Sequence, residues 1–208
     1  MLDATIRVHE GLLAGGRVSP LTRVGTRLSA LELAALLLTG CFAAMATAFL
    51  DLDLRIPGHA ILRVVFPMAF GLALVPRRAA GTIMGAGALA TALGLYAGGL
   101  TGMGVGAITS LCLTGPLLDL SLLRARPGWK LYFAFTAAGI VSNVAALIVR
   151  GTTKLLTMDM SGGRRFAEWL PQAACTYILC GAIAGIVSAL FWFHLNAGKR
   201  SAIQEDLP

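Results

Sequence analysis

Apolar runs recur along this chain, at residues 30–50, 59–75, 79–97, 103–123, 129–149 and 171–195, and its charged residues collect in the connections between them. A helix of about 20 apolar residues rises about 30 Å, the thickness of a bilayer's hydrocarbon. With 57% hydrophobic and only 13% charged residues in 208, the chain is too apolar for a soluble domain of its length. The runs lack the dyad alternation of a membrane β-barrel. The expected fold is all-α: a polytopic bundle of six transmembrane helices in one domain.

Charge placement orients the bundle. If both termini are cytoplasmic, the inner regions hold Arg7, Arg17, Arg23, Arg27, Arg77, Arg78, Arg124, Arg126, Lys130, Lys199 and Arg200, which is 11 of the 17 basic residues. That bias favours six spans in a cell's inner membrane. The net charge of +7 belongs to headgroup contact and orientation, so nucleic acid is set aside as a partner and membrane lipid is expected. Residues 1–27 form a polar arm, 28–196 the transmembrane domain and 197–208 a tail. The arm has no early apolar core of a cleaved signal and is expected to stay in the cytoplasm. Within it, residues 2–13 either lie as a helix on the inner surface, with His9 and Glu10 exposed, or stay disordered. Cys41, Cys112, Cys175 and Cys180 have neither a CxxC nor a zinc-knuckle spacing and are expected to act as small hydrophobes.

The stretch AFLDLDLRIPGHAILRVVFPMAF, residues 48–70, gathers Asp51, Asp53, Arg55, His59 and Arg63 at one membrane face. Ionisable groups next to hydrocarbon mark a functional site by default. Arg63, a little more than a turn below the surface, either holds a ligand or makes a structural clasp with Asp51 or Asp53. Pro57 and Gly58 permit a sharp re-entry, and Pro67 predicts a kinked or broken second span. Asn143, in the outer half of span five, must find a partner on another helix or a ligand. Tyr177 lies at a matching depth in span six. Glu32 is expected at the interface, and Asp119 is expected either to pair with Arg124, Arg126 or Lys130 or to contact a cytoplasmic partner. The connection 150–170 is long enough to act as a lid.

Small residues recur at four-residue spacing in span one, at Ala30 and Ala34 and again at Gly40, Ala44 and Ala48. Gly81 with Gly85 and Gly181 with Gly185 repeat the pattern, which lets helices approach closely. Catalytic signatures are missing: there is no HExxH, GxSxG or Walker motif, so an enzyme is not expected. No metal or other cofactor is expected. His59 with Asp51 and Asp53 is the nearest approach to a metal set.

The strip Ala30, Ala34, Gly40, Ala44, the RIPGHAILR turn into a short second span, and the glycine-rich spans three and four ending in GPLLDL resemble the S components of energy-coupling factor (ECF) transporters. The similarity covers about residues 30–195. It implies a small substrate-binding subunit of a multi-subunit uptake transporter, which takes a small-molecule solute at the outer face and works with separate ATPases and a membrane coupling subunit. It further implies a pocket of Asp53, Arg55, His59, Arg63, Asn143 and Tyr177, and a coupling surface at Ala30, Ala34, Gly40 and Ala44. The cobalt and nickel members begin Met-His, whereas here Leu2 follows Met1. The competing expectation is an accessory or assembly subunit of a larger membrane complex, without a ligand of its own.

Overall fold

The computed structural model describes residues 8–21, 28–50, 58–126, 128–156 and 166–194. Among them are seven helices: α1 (Glu10–Gly15), α2 (Ala30–Phe49), α3 (Ile61–Leu74), α4 (Ala80–Ala97), α5 (Val105–Leu122), α6 (Trp129–Leu156) and α7 (Phe166–Trp192). No strand occurs among the described residues. The helices α2, α4, α5, α6 and α7 are each long and apolar enough to cross a membrane, while α3 is apolar but has 14 residues. Large apolar side chains such as Leu38, Phe42, Phe133, Ile148, Leu179 and Ile183 are exposed on the outward faces. Water would penalise that surface and a bilayer accepts it.

The long helices form a ring in the order α2, α4, α5, α6, α7, which α3 closes between α7 and α2. α3 also touches α4, α5 and α6, so it sits towards the axis. Its Val64, Val65, Met68, Ala69 and Leu72 are buried with Leu36, Met84, Leu111, Leu118 and Phe135. The helix is continuous through Pro67, so the second span is not broken there.

Hydrocarbon supplies no hydrophobic force between helices, so close packing and hydrogen bonds must hold the ring. Glycines make the closest crossings. A Cβ on Gly81 or Gly115 would run into the other's carbonyl where α4 meets α5, and Gly139 and Gly181 stand in the same relation where α6 meets α7. Thr114 and Ser142 join α5 to α6 by a buried hydroxyl pair at 2.6 Å. All four cysteines are free thiols.

One end of the bundle is closed by its own arm. Here α3, α5 and α7 end, and the last carbonyls of a helix have no partner within it. The Arg17 N–H donates to Trp192 O at 2.9 Å, the Leu21 N–H donates to Leu74 O at 2.8 Å, and His9 Nε2 lies against Leu122 O. Leu12 is buried beneath them. The expectation of a surface-lying or disordered arm with an exposed His9 is therefore corrected over the described residues, because the arm supplies donors to the ends of α3 and α7 and buries Leu12 and His9 against the bundle.

Two further expectations change at this end. Glu32 is buried, not interfacial: its carboxylate completes a capping box with Ser29 at the start of α2, and Oε1 accepts from Arg77 Nε at 3.0 Å. Asp119 accepts from the Gly81 and Thr82 N–H groups at 2.9 and 2.7 Å and from the Thr82 hydroxyl at 2.6 Å. It caps the first turn of α4 instead of pairing with Arg124, Arg126 or Lys130, because α4 begins with uncapped donors beside it.

Candidate ligand cavity

At the opposite end α3 falls short. Its 14 residues rise about 21 Å against the roughly 30 Å of a full span. The turn that precedes it, at Gly58, reaches down to Asn143 of α6 and Tyr177 of α7. Asn143 Nδ2 donates to Gly58 O at 3.1 Å and to Tyr177 O at 2.7 Å, so one amide ties three elements together. Gly58 has φ 88, which favours glycine, and a Cβ there would stand 3.0 Å from Asn143 Nδ2 and 3.1 Å from the Tyr177 ring.

Above this tie lies a cavity of about 480 Å³, within the size range of small-molecule sites. Its base includes Gly58, His59, Ser110, Asn143 and Tyr177; the first turn of α5, from Gly104 to Ala107, forms one wall. Arg150, Thr153 and Lys154 of α6 line it towards the open end, where Arg150 Nη1 donates to the Tyr177 hydroxyl at 3.3 Å. Lys154 Nζ sits 4.7 Å above the Trp169 ring, a cation–π contact that joins α6 to α7.

The expected pocket residues separate into three groups. His59, Asn143 and Tyr177 line the cavity together. Arg63 does not: it is half-buried, and its Nη1 contacts Leu50 O at the end of α2. That carbonyl is one of the four a helix leaves open at its C-terminus, and a guanidinium near the same depth satisfies it. Asp53 and Arg55 lie outside the described residues, as does Asp51. A lid over residues 150–170 is corrected in part, because 150–156 continue α6 and 166–170 begin α7. The remainder, 157–165, lies outside the described residues.

Arg150, Thr153, Lys154 and Ser110 were not among the expected site residues. The legible signal was the spacing Asn143, Ala146, Arg150, Thr153, which keeps to one helix face if span five continues past residue 149. Among the described residues no group of three or more His, Cys, Asp or Glu side chains stands together to hold a metal ion.

The supposed coupling strip does not form one surface. Ala30 and Ala34 are exposed, whereas Gly40 and Ala44 are buried, Gly40 directly against Met84 and Ala88 of α4. Six residues at 100° each place Gly40 about 120° round the helix from Ala34, on the side that meets α4. Gly40 and Ala44 are thus removed from any partner surface.

These helices and their apolar outer faces make the chain a multi-pass α-helical membrane protein. No family model, no curated protein and no solved structure matches it.

Proposed function

We propose that this chain is the substrate-binding membrane subunit of a multi-subunit uptake transporter, which takes a small solute into the cavity and works with separate ATPase and coupling subunits. The observation that carries the reading is the cavity itself, a space of about 480 Å³ at one end of the bundle into which His59, Ser110, Asn143, Arg150 and Tyr177 bring polar groups. An assembly subunit has no need to keep such a space open, and a packed helix end would cost less.

On this reading α3 is a sixth, shortened span, both termini are cytoplasmic and the cavity opens outward from a cell's inner membrane. The distribution of cations supports that orientation. Arg17, Arg77, Arg78, Arg124, Arg126 and Lys130 lie at the arm end, against Arg63, Arg150 and Lys154 at the other. The exposed Ala30 and Ala34 leave a smooth patch on α2 for a coupling subunit.

Purification from the native membrane in mild detergent, with mass spectrometry of the proteins and small molecules retained, tests this reading. Co-purified ATPases and a bound metabolite support it. A large complex with neither ATPase nor ligand sinks it in favour of an assembly role.

A further inference from the structure

We infer that the solute is a small organic acid that also carries a hydrogen-bond donor remote from its acidic group, held with the acid at Arg150 and the donor at Asn143. The inference rests on the carrier reading and specifies its substrate class. α6 supplies both ends of the site from one face: Asn143 and Arg150 are two turns apart, about 10 Å along the axis.

The open end is positive. Arg150 spends one donor on the Tyr177 hydroxyl and meets no carboxylate among the described residues. Its remaining planar fork suits a carboxylate or phosphate. Lys154 lines the same end, and no Asp or Glu lines the cavity among the described residues. Both α3 and α5 begin at the cavity, and neither has a side-chain cap at its first turn. The first N–H groups of α3 bond the carbonyls of Gly58, His59 and Ala60, so the partial positive charge comes chiefly from the start of α5, where only the Ala107 and Ile108 N–H groups are met, by Gly104 O.

The base is polar in a different way. Ser110 and Asn143 are only 5% and 2% exposed. With Asn143 Nδ2 committed to two carbonyls, its Oδ1 is left as an acceptor, and neither that oxygen nor the Ser110 hydroxyl bonds any described residue. Both groups line the cavity, so a ligand that brings an N–H or O–H to the Asn143 oxygen makes a bond that no protein group there makes. A neutral polyol would leave the cationic end unused, a cation would be repelled there, and a purely apolar molecule would strand the base.

The test uses full-length protein in nanodiscs of zwitterionic lipid and a matched series of probes: 4-hydroxyphenylacetate, its neutral amide, tyramine, and 4-methoxyphenylacetate, which lacks the donor. Thermal-unfolding shifts and calorimetric titration read the binding, and compounds extracted from freshly purified protein are identified by mass spectrometry. The expected extract contains a soluble carboxylate or phosphate ester. Among the probes the hydroxy acid binds best, the methoxy acid more weakly, and the amide and amine not measurably. Arg150→Gln weakens acid binding about tenfold or more while the ligand-free protein unfolds as before. A neutral or cationic retained compound, a phospholipid as the only retained anion, equal binding of amide and acid, or an Arg150→Gln variant that binds the acid unchanged overturns the inference and leaves a carrier of another specificity. An empty extract together with no response to any probe overturns the carrier reading, and the inference with it.

Discussion

Arg77 donates from Nε to Glu32 Oε1 at 3.0 Å, and each side chain is 1% exposed. The pair joins the first turn of α2 to the turn that starts α4, so the two helices leave one end of the bundle side by side. A buried ion pair has only a modest net effect on stability, but removing one partner strands the other charge. Glu32→Gln and Arg77→Met are each expected to destabilise the bundle by about 3 kcal/mol. Glu32→Leu with Arg77→Met together should recover most of that loss. Chemical unfolding in a fixed detergent measures all three; equal loss in the double and single variants would mean that the pair adds more than charge compensation.

Gly58 is the second fixed point. Its positive φ and the approach of Asn143 and Tyr177 make any side chain there strained and tight. Gly58→Ala should cost about 1–2 kcal/mol from backbone strain alone, and hydrogen exchange should rise at residues 58–60. Asn143→Ala should free the same turn by removing the hydrogen bond to Gly58 O and the amide's own anchor at Tyr177 O. If exchange there stays slow in Asn143→Ala, the amide is not what holds the turn down.

The glycine crossings make a sharp contrast with glycines elsewhere. Gly139→Ala and Gly181→Ala place a methyl group against a facing backbone carbonyl and should force α6 and α7 apart. Gly94, in α4, has nothing within 4 Å of an added Cβ. Gly94→Ala should be neutral or stabilising by up to about 1 kcal/mol. Thermal unfolding of the three variants side by side decides whether backbone proximity, rather than helix propensity, sets these positions.

Leu12 anchors the arm. It is buried under the ends of α3, α5 and α7, and Leu12→Asp would bury a charge with no partner of its own. The expected result is release of the arm, seen as rapid proteolysis within residues 8–21 and faster exchange at Leu21 and Arg17, whose N–H groups bond Leu74 and Trp192. The cavity end should keep its protection. Loss of protection at both ends would show that the arm holds the whole bundle and not one end of it.

Run length and punctuation are local properties, and they carried far. Residues 30–50 and 79–97 anticipated α2 and α4 to within a residue at each end, because the apolar runs there are bounded by Pro76, the charged Arg77–Arg78 pair and the paired glycines at 98 and 99. Gly81 and Gly181 were legible as contact points, since a missing side chain at helical spacing has few other uses in a membrane. Asn143 was legible as a polar group that must find a partner.

The sequence by itself determined the medium and the helices: apolar runs of that length require a bilayer, and a bilayer requires their backbones to be helical. Only tertiary structure decided which polar groups meet. Glu32 and Arg77 are 45 positions apart, His9 reaches a carbonyl at Leu122, and the short α3 opens the space that Arg150 and Asn143 share. Helix rotation and depth set these contacts. Both follow from how the glycine crossings and chain ends pack against one another, and local sequence does not encode that sum.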